Sequence, residues 1–125
     1  VATNAFSYAI VRVVPDLARG EFVNAGVLLH ARQASFLRAR VRLDHKRLAA
    51  IAPQFDPTIA ECALSALERV AEGDERGGPM ALLEQSERFG WLVAPSSTVV
   101  QCSPVHSGVS DDPARSLDEL FAELV

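Results

Sequence analysis

Two apolar runs near the start of the chain, Tyr8–Val14 and Val23–Ala31, have the length and β-branched content of strands. Pro15, Asp16 and Gly20 supply turn chemistry between them. The first run extends back to Phe6 and is apolar at both parities except at Ser7 and Arg12, the pattern of a strand covered on both faces. Strict alternation in the second sets Val23, Ala25, Val27, Leu29 and Ala31 against Asn24, Gly26, Leu28 and His30. Gly26 inside that run marks a bulge or a close backbone approach. Phe36–Leu43 alternates without a break, with Leu37, Ala39, Val41 and Leu43 on one face and Arg38, Arg40 and Arg42 on the other. A three-stranded antiparallel meander is the simplest arrangement.

Helical spacing takes over after Asp44, which can cap a short helix over His45–Ala52 that Pro53 stops. Asp56 before Pro57 is a stronger start signal, with Ile59, Ala63, Leu67 and Val70 repeating inward as far as Gly73 and Glu61, Glu68 and Glu72 facing solvent. Asp74–Pro79 reads as a loop and Met80–Ser86 as a short amphipathic helix. Trp91–Val93 and Ser97–Cys102 read as short strands interrupted by Pro95, and Ser103–Gly108 as irregular. Asp112–Pro113 repeats the cap-then-proline signal before a helix whose Leu117, Leu120, Phe121 and Leu124 should dock on the sheet. Runs of strands followed by helices predict a single α+β domain over residues 1–125. Its antiparallel sheet should have about four to five strands, with three to four helices packed mainly on one face.

A chain of 125 residues, 49% of them hydrophobic, has material for one core. Net charge is −4, unevenly spread: residues 1–47 carry eight basic and three acidic side chains, residues 48–125 four and thirteen. That asymmetry either marks a basic face for an anionic partner or lets a basic sheet neutralise acidic helices, and the second needs no partner. Cys62 and Cys102 lack metal or redox spacing and read as buried small hydrophobes instead of a disulfide. With no Lys/Arg-led apolar leader and no run fit to span a bilayer, the expectation is a cytoplasmic protein that does not enter the membrane.

Candidate chemistry is sparse. No GxSxG, HExxH, GxGxxG or phosphate-binding loop occurs, and no motif calls for a metal or a cofactor. Arg12, in an apolar strand, must snorkel or meet a carboxylate, with Glu21 or Asp16 the nearest. Asp16, Arg19, Glu21 and Asn24 make the connection a candidate functional loop; alternatively Asp16 closes a turn and Arg19 pairs with Glu21. Ser103, His106 and Ser107 lie near Asp111 and Asp112, but a triad is defined by geometry, and His106 is read first as a loop hydrogen-bonding residue. Arg38, Arg40, Arg42, Lys46 and Arg47 form a basic patch that could attract nucleic acid, or whose stems could simply cover a solvated sheet face. The absence of aromatics for base stacking on that face favours the second reading.

The opening YAIVRVVPDLARGEFVNAGVLL, with FGWLVAPSSTVVQCSPVHSGVSDDP before a final Leu-rich helix, resembles the bacterial family called domain of unknown function 3037. Matching residues are Tyr8, Arg12, Pro15, Asp16, Arg19, Gly20, Glu21, Asn24, Gly26 and Val27, then Ser103, Pro104, His106, Gly108 and Asp112–Pro113. The resemblance implies a small bacterial cytoplasmic protein without an established activity. Family members are often encoded beside kinases of the HipA-like type, which implies an accessory or regulatory partner. The leading expectation is a non-enzymatic interaction module using one polar surface from residues 15–24 and 103–108. Alternatives are a small enzyme or anion-binding protein with a pocket of Arg12, Arg19, Glu21 and His106, and a nucleic-acid binder using residues 38–47.

Overall fold

Asn4–Val13 (β1), Val23–Ala31 (β2) and Phe36–Val41 (β3) form the expected antiparallel meander in the computed structural model, which describes residues 3–125. The first two residues of the expected domain lie outside the described residues. The chain continues through His45–Ile51 (α1), Pro57–Glu72 (α2), Gln85–Val93 (α3), Val100–Cys102 (β4), His106–Ser110 (β5) and Pro113–Leu124 (α4). All five strands join one antiparallel sheet in the order β3-β2-β1, with β4 and β5 sharing the far edge of β1. The result is a single α+β domain. Among the described residues no helix is long and apolar enough to cross a membrane.

Ser103–Gly108, expected to be irregular, is irregular over Ser103–Val105, where this edge bends, and enters β5 from His106. Ser103 N–H donates to the Ile10 carbonyl at 2.8 Å, and Ser103 Oγ accepts from Ile10 N–H at 2.8 Å. Pairing therefore carries through Ser103, and resumes at His106 opposite Tyr8 once Pro104, which has no N–H to give, is passed.

A bulge decides which side chains of β2 face which layer. Val11 pairs with Gly26 and Arg12 with Asn24, so Ala25 is the extra residue. Alternation consequently switches: Val23 and Ala25 share a face with Leu28, while Val27, Leu29 and Ala31 face the other way. Gly26 is obligatory because a Cβ there would stand 2.6 Å from the Arg40 carbonyl oxygen of β3.

One face packs Val11, Val13, Leu28, Leu37 and Ala39 against Leu48 of α1, Leu64 and Leu67 of α2, and Phe89 and Leu92 of α3. The opposite face holds α4 alone, with Leu117 and Phe121 on Val27, Leu29 and Ala31. Three of the four helices thus lie on one side. Burying side chains of this size contributes roughly 1.5–3 kcal/mol each.

The helix starts are as the sequence expects: Asp44, Asp56 and Asp112 accept backbone N–H from Arg47, Thr58 and Arg115. The buried stripe of α2 is Ala60, Leu64, Leu67, Val70 and Ala71; Ile59, expected inside, is 52% exposed. Trp91–Val93 is the last turn of α3, not a strand, and Met80–Ser86 is not one helix but is divided between a short 3-10 helix, Pro79–Leu82, and the start of α3. A three-residue apolar run is too short for periodicity to separate the two forms; burial of Phe89 and Leu92, three residues apart on one helical face, makes it helical. Buried Arg88 fastens α3 to α2, donating to the Leu83 carbonyl at 2.6 Å and the Ala71 carbonyl at 3.4 Å. The Ala71 carbonyl lies at the negative end of α2, where a cation is favourable.

Candidate functional site

The loop after β1 is held by its own backbone. Asp16 Oδ1 accepts from Ala18 N–H at 3.0 Å, and Gly20 N–H donates to the Asp16 carbonyl at 3.1 Å. Arg19 pairs with Glu21 Oε1 at 2.6 Å, both exposed, so the contact is worth only ~0.2–1 kcal/mol. Arg12 meets neither Glu21 nor Asp16, contrary to expectation: its guanidinium lies over the Phe22 ring at 4.2 Å. A cation is stabilised on an aromatic face, and this removes the need for a carboxylate. Asn24 donates from Nδ2 to the Leu124 carbonyl at 3.1 Å and so ties β2 to the end of α4.

Among the described residues, no hydrogen bond or ion pair joins residues 103–108 to this loop. Ser103 is buried and spent on β1 and on the Pro104 carbonyl. His106 is exposed and stacks on Tyr8 with ring centroids 5.2 Å apart. Tyr8 and Val13 are five extended residues apart, about 17 Å at ~3.3 Å per residue, and the loop begins beyond Val13. Among the described residues, Arg19–Glu21 is the one hydrogen-bonded or ion pair within the set Arg12, Arg19, Glu21 and His106.

The basic strand lies beside α4. Arg40 pairs with Asp118 at 2.6 Å, and Arg40 and Arg42 flank the Phe121 ring at 4.5 and 5.1 Å. Arg38 is 6.0 Å from the Phe36 ring. Aromatics do stand on this face, then, and are engaged by the arginines. At the start of α1, Arg47 reaches Asp44 at 3.5 Å and Lys46 is exposed. Neither cysteine is the fully buried hydrophobe expected: Cys62 is exposed, and Cys102 is partly buried, its thiol pushed up to about 11 by burial against a weaker opposing pull from Arg12. A thiol held that high is a poor nucleophile at neutral pH.

What sequence reasoning missed is a groove of about 500 Å³ between α2, α3 and the segment leading into β4. Ala63, Ala66 and Leu67 form one wall, Trp91 and Leu92 the other, with Met80, Pro95, Val99 and Val100 closing it. Trp91 is 62% exposed and Met80 37%. The only polar side chains in the lining, Ser96 and Thr98, hydrogen-bond to each other at 3.0 Å, and Thr98 donates to the Val100 carbonyl at 2.7 Å. No titratable side chain lines the groove. It can bury apolar surface, and the Ser96 and Thr98 hydroxyls have no titratable side chain beside them in the lining to activate them. At Val99 it adjoins a shallower depression between Pro15–Ala18 and Ala52–Phe55, fixed by a hydrogen bond of 2.6 Å from Val14 N–H to the Val99 carbonyl. The signal that could have found it is small Ala63 and Ala66 one turn apart on the exposed flank of the expected stripe, but the Trp91 wall is set only by tertiary packing.

A family model described as Protein of unknown function (DUF3037) matches residues 8–125. No curated protein and no solved structure matches the chain.

Proposed function

The chain belongs to the DUF3037 family of proteins of unknown function, and we propose that it is a non-enzymatic interaction module whose docking surface is the groove at Trp91. The observation that carries this reading is an open apolar groove, rimmed by an exposed Trp and Met, whose lining has no titratable side chain. Exposed aromatics over an apolar concavity are the usual anchors of protein recognition. The occupant is an amphipathic helix carrying Lys or Arg beside its apolar stripe. Ala63, Ala66 and Ala94 let a helix backbone approach closely, and the groove falls in the acidic part of the chain, with exposed Glu87 one turn before Trp91. A HipA-like kinase, in a bacterial cytoplasm, is the first partner to try, on the strength of the family resemblance alone.

Affinity capture from a lysate of the source organism tests this with three baits: wild type, Ala66→Glu/Trp91→Glu, and Arg19→Ala/Glu21→Ala/His106→Ala, each checked by thermal melting. A protein retained by wild type and by the triple variant, carrying a basic amphipathic helix and weakened at least about thirtyfold by the groove variant, is the expected result. Retention lost with the triple variant but kept by the groove variant would overturn the assignment. So would a folded wild type that retains nothing.

A further inference from the structure

We infer that the outer edge of β5 pairs with the same edge of a second copy, so that two chains form one continuous antiparallel sheet about a two-fold axis through Ser107. This inference is independent of the groove. β5 bonds to β1 along one side only, and among the described residues nothing pairs with its other side. An edge strand exposes a row of backbone donors and acceptors, and proteins usually guard such edges with charge, proline or a covering element. The opposite edge, β3, is guarded by Arg38 and Arg40. β5 has no guard: His106–Ser110 contains no Lys, Arg, Asp, Glu or Pro, and Val109 is 74% exposed beside partly exposed Val105.

The sequence of the edge selects a second copy over an unrelated strand because it is complementary to itself. Antiparallel pairing centred on Ser107 sets Val105 of each copy opposite Val109 of the other, two β-branched pairs on one face. On the other face, His106 of each copy comes opposite Gly108 of the other. Gly108 brings no side chain of its own to that contact, and the Phe6 ring of its own copy covers it, its Cζ 2.5 Å from where a Cβ would stand. Parallel pairing in register would instead set His106 against His106 and Val109 against Val109, in place of the two Val105–Val109 pairs. No like charges meet at the axis, as an isologous contact requires. A contact confined to residues 105–110 is at the small end of specific interfaces, so dimerisation should be concentration-dependent.

Sedimentation velocity over a concentration series is the test, with Val109→Lys as the edge variant. The expected result is a reversible wild-type dimer whose dissociation constant rises at least about tenfold in Val109→Lys, with unchanged Tm at concentrations where both are monomeric, since the side chain is exposed. Register is read by crosslinking in a Cys62→Ser background: Ser107→Cys should give a disulfide-linked dimer under mild oxidation, because residues directly opposite have Cβ atoms about 4.5–5.5 Å apart. Val109→Cys should not, being offset from its counterpart by four residues. A wild type that stays monomeric throughout overturns the inference. So does a dimer indifferent to Val109→Lys, or one in which Val109→Cys crosslinks as readily as Ser107→Cys.

Discussion

Arg88 looks like a surface residue in the sequence, yet its guanidinium is buried against the end of α2 and supplies donors to the Leu83 and Ala71 carbonyls. Nothing in a helical stretch such as QSERFGWLV distinguishes it from a solvated arginine, because its partners are backbone atoms. Arg88→Leu should lower stability by about 2 kcal/mol, since orphaned buried carbonyls cost ~1–3 kcal/mol each while removal of a buried charge returns part of that. A shifted urea midpoint with an unchanged slope would show it. His30 is the second such residue: its Nε2 is buried with no partner and its ring lies 5.0 Å from Phe89. Burial, then the charges of Arg32 and Arg88, hold its pKa below the ordinary histidine value. As pH falls through about 6.5 the unfolded chain takes up the proton first, so stability declines from there toward the lowered folded pKa. Denaturant melts at pH 7.5 and 5.5 should show this loss in wild type and a flatter profile in His30→Gln. Gly26, by contrast, was legible, since a glycine within a β-branched run signals a place where neighbouring backbone leaves no room for a side chain. Gly26→Ala should cost about 1–3 kcal/mol, with β2–β3 pairing loosened first in hydrogen exchange.

Elements announced by local chemistry were legible, and those defined by what they touch were not. Asp-then-Pro signals located α2 and α4 because the cap is a contact within four residues. The half-strand His106–Ser110 was not, because its partner is about a hundred residues away in β1 and Pro104 disguises the continuity. In α4 the packing should outweigh the ion pair that decorates it. Phe121 is buried on β2 and flanked by Arg40 and Arg42, whereas the Arg40–Asp118 pair is half exposed. Phe121→Ala should therefore cost about 3–5 kcal/mol and Asp118→Ala under about 1 kcal/mol, measured by urea unfolding.

For the whole molecule, the basic strand β3 is joined to an acidic helix by one ion pair among the described residues. β3 contacts α2 on one face of the sheet and α4 on the other: Arg40 meets Asp118 of α4, and Arg38 and Glu72 of α2 line one depression. The expectation of a sheet neutralising its helices has this one pair, Arg40–Asp118, behind it. The groove could not be foreseen in the same way, since Ala63, Met80, Trp91 and Val99 are brought together by the packing of α2, α3 and β4 and share no motif. The most direct measurement is site-specific photocrosslinking in cells, with a benzophenone amino acid placed at Met80 on the groove rim and, separately, at Arg19 on the polar loop. A single partner crosslinked from position 80 and absent from position 19 is the predicted result. Crosslinking from position 19 alone, or from neither position, would contradict the assignment of the Trp91 groove as the docking surface.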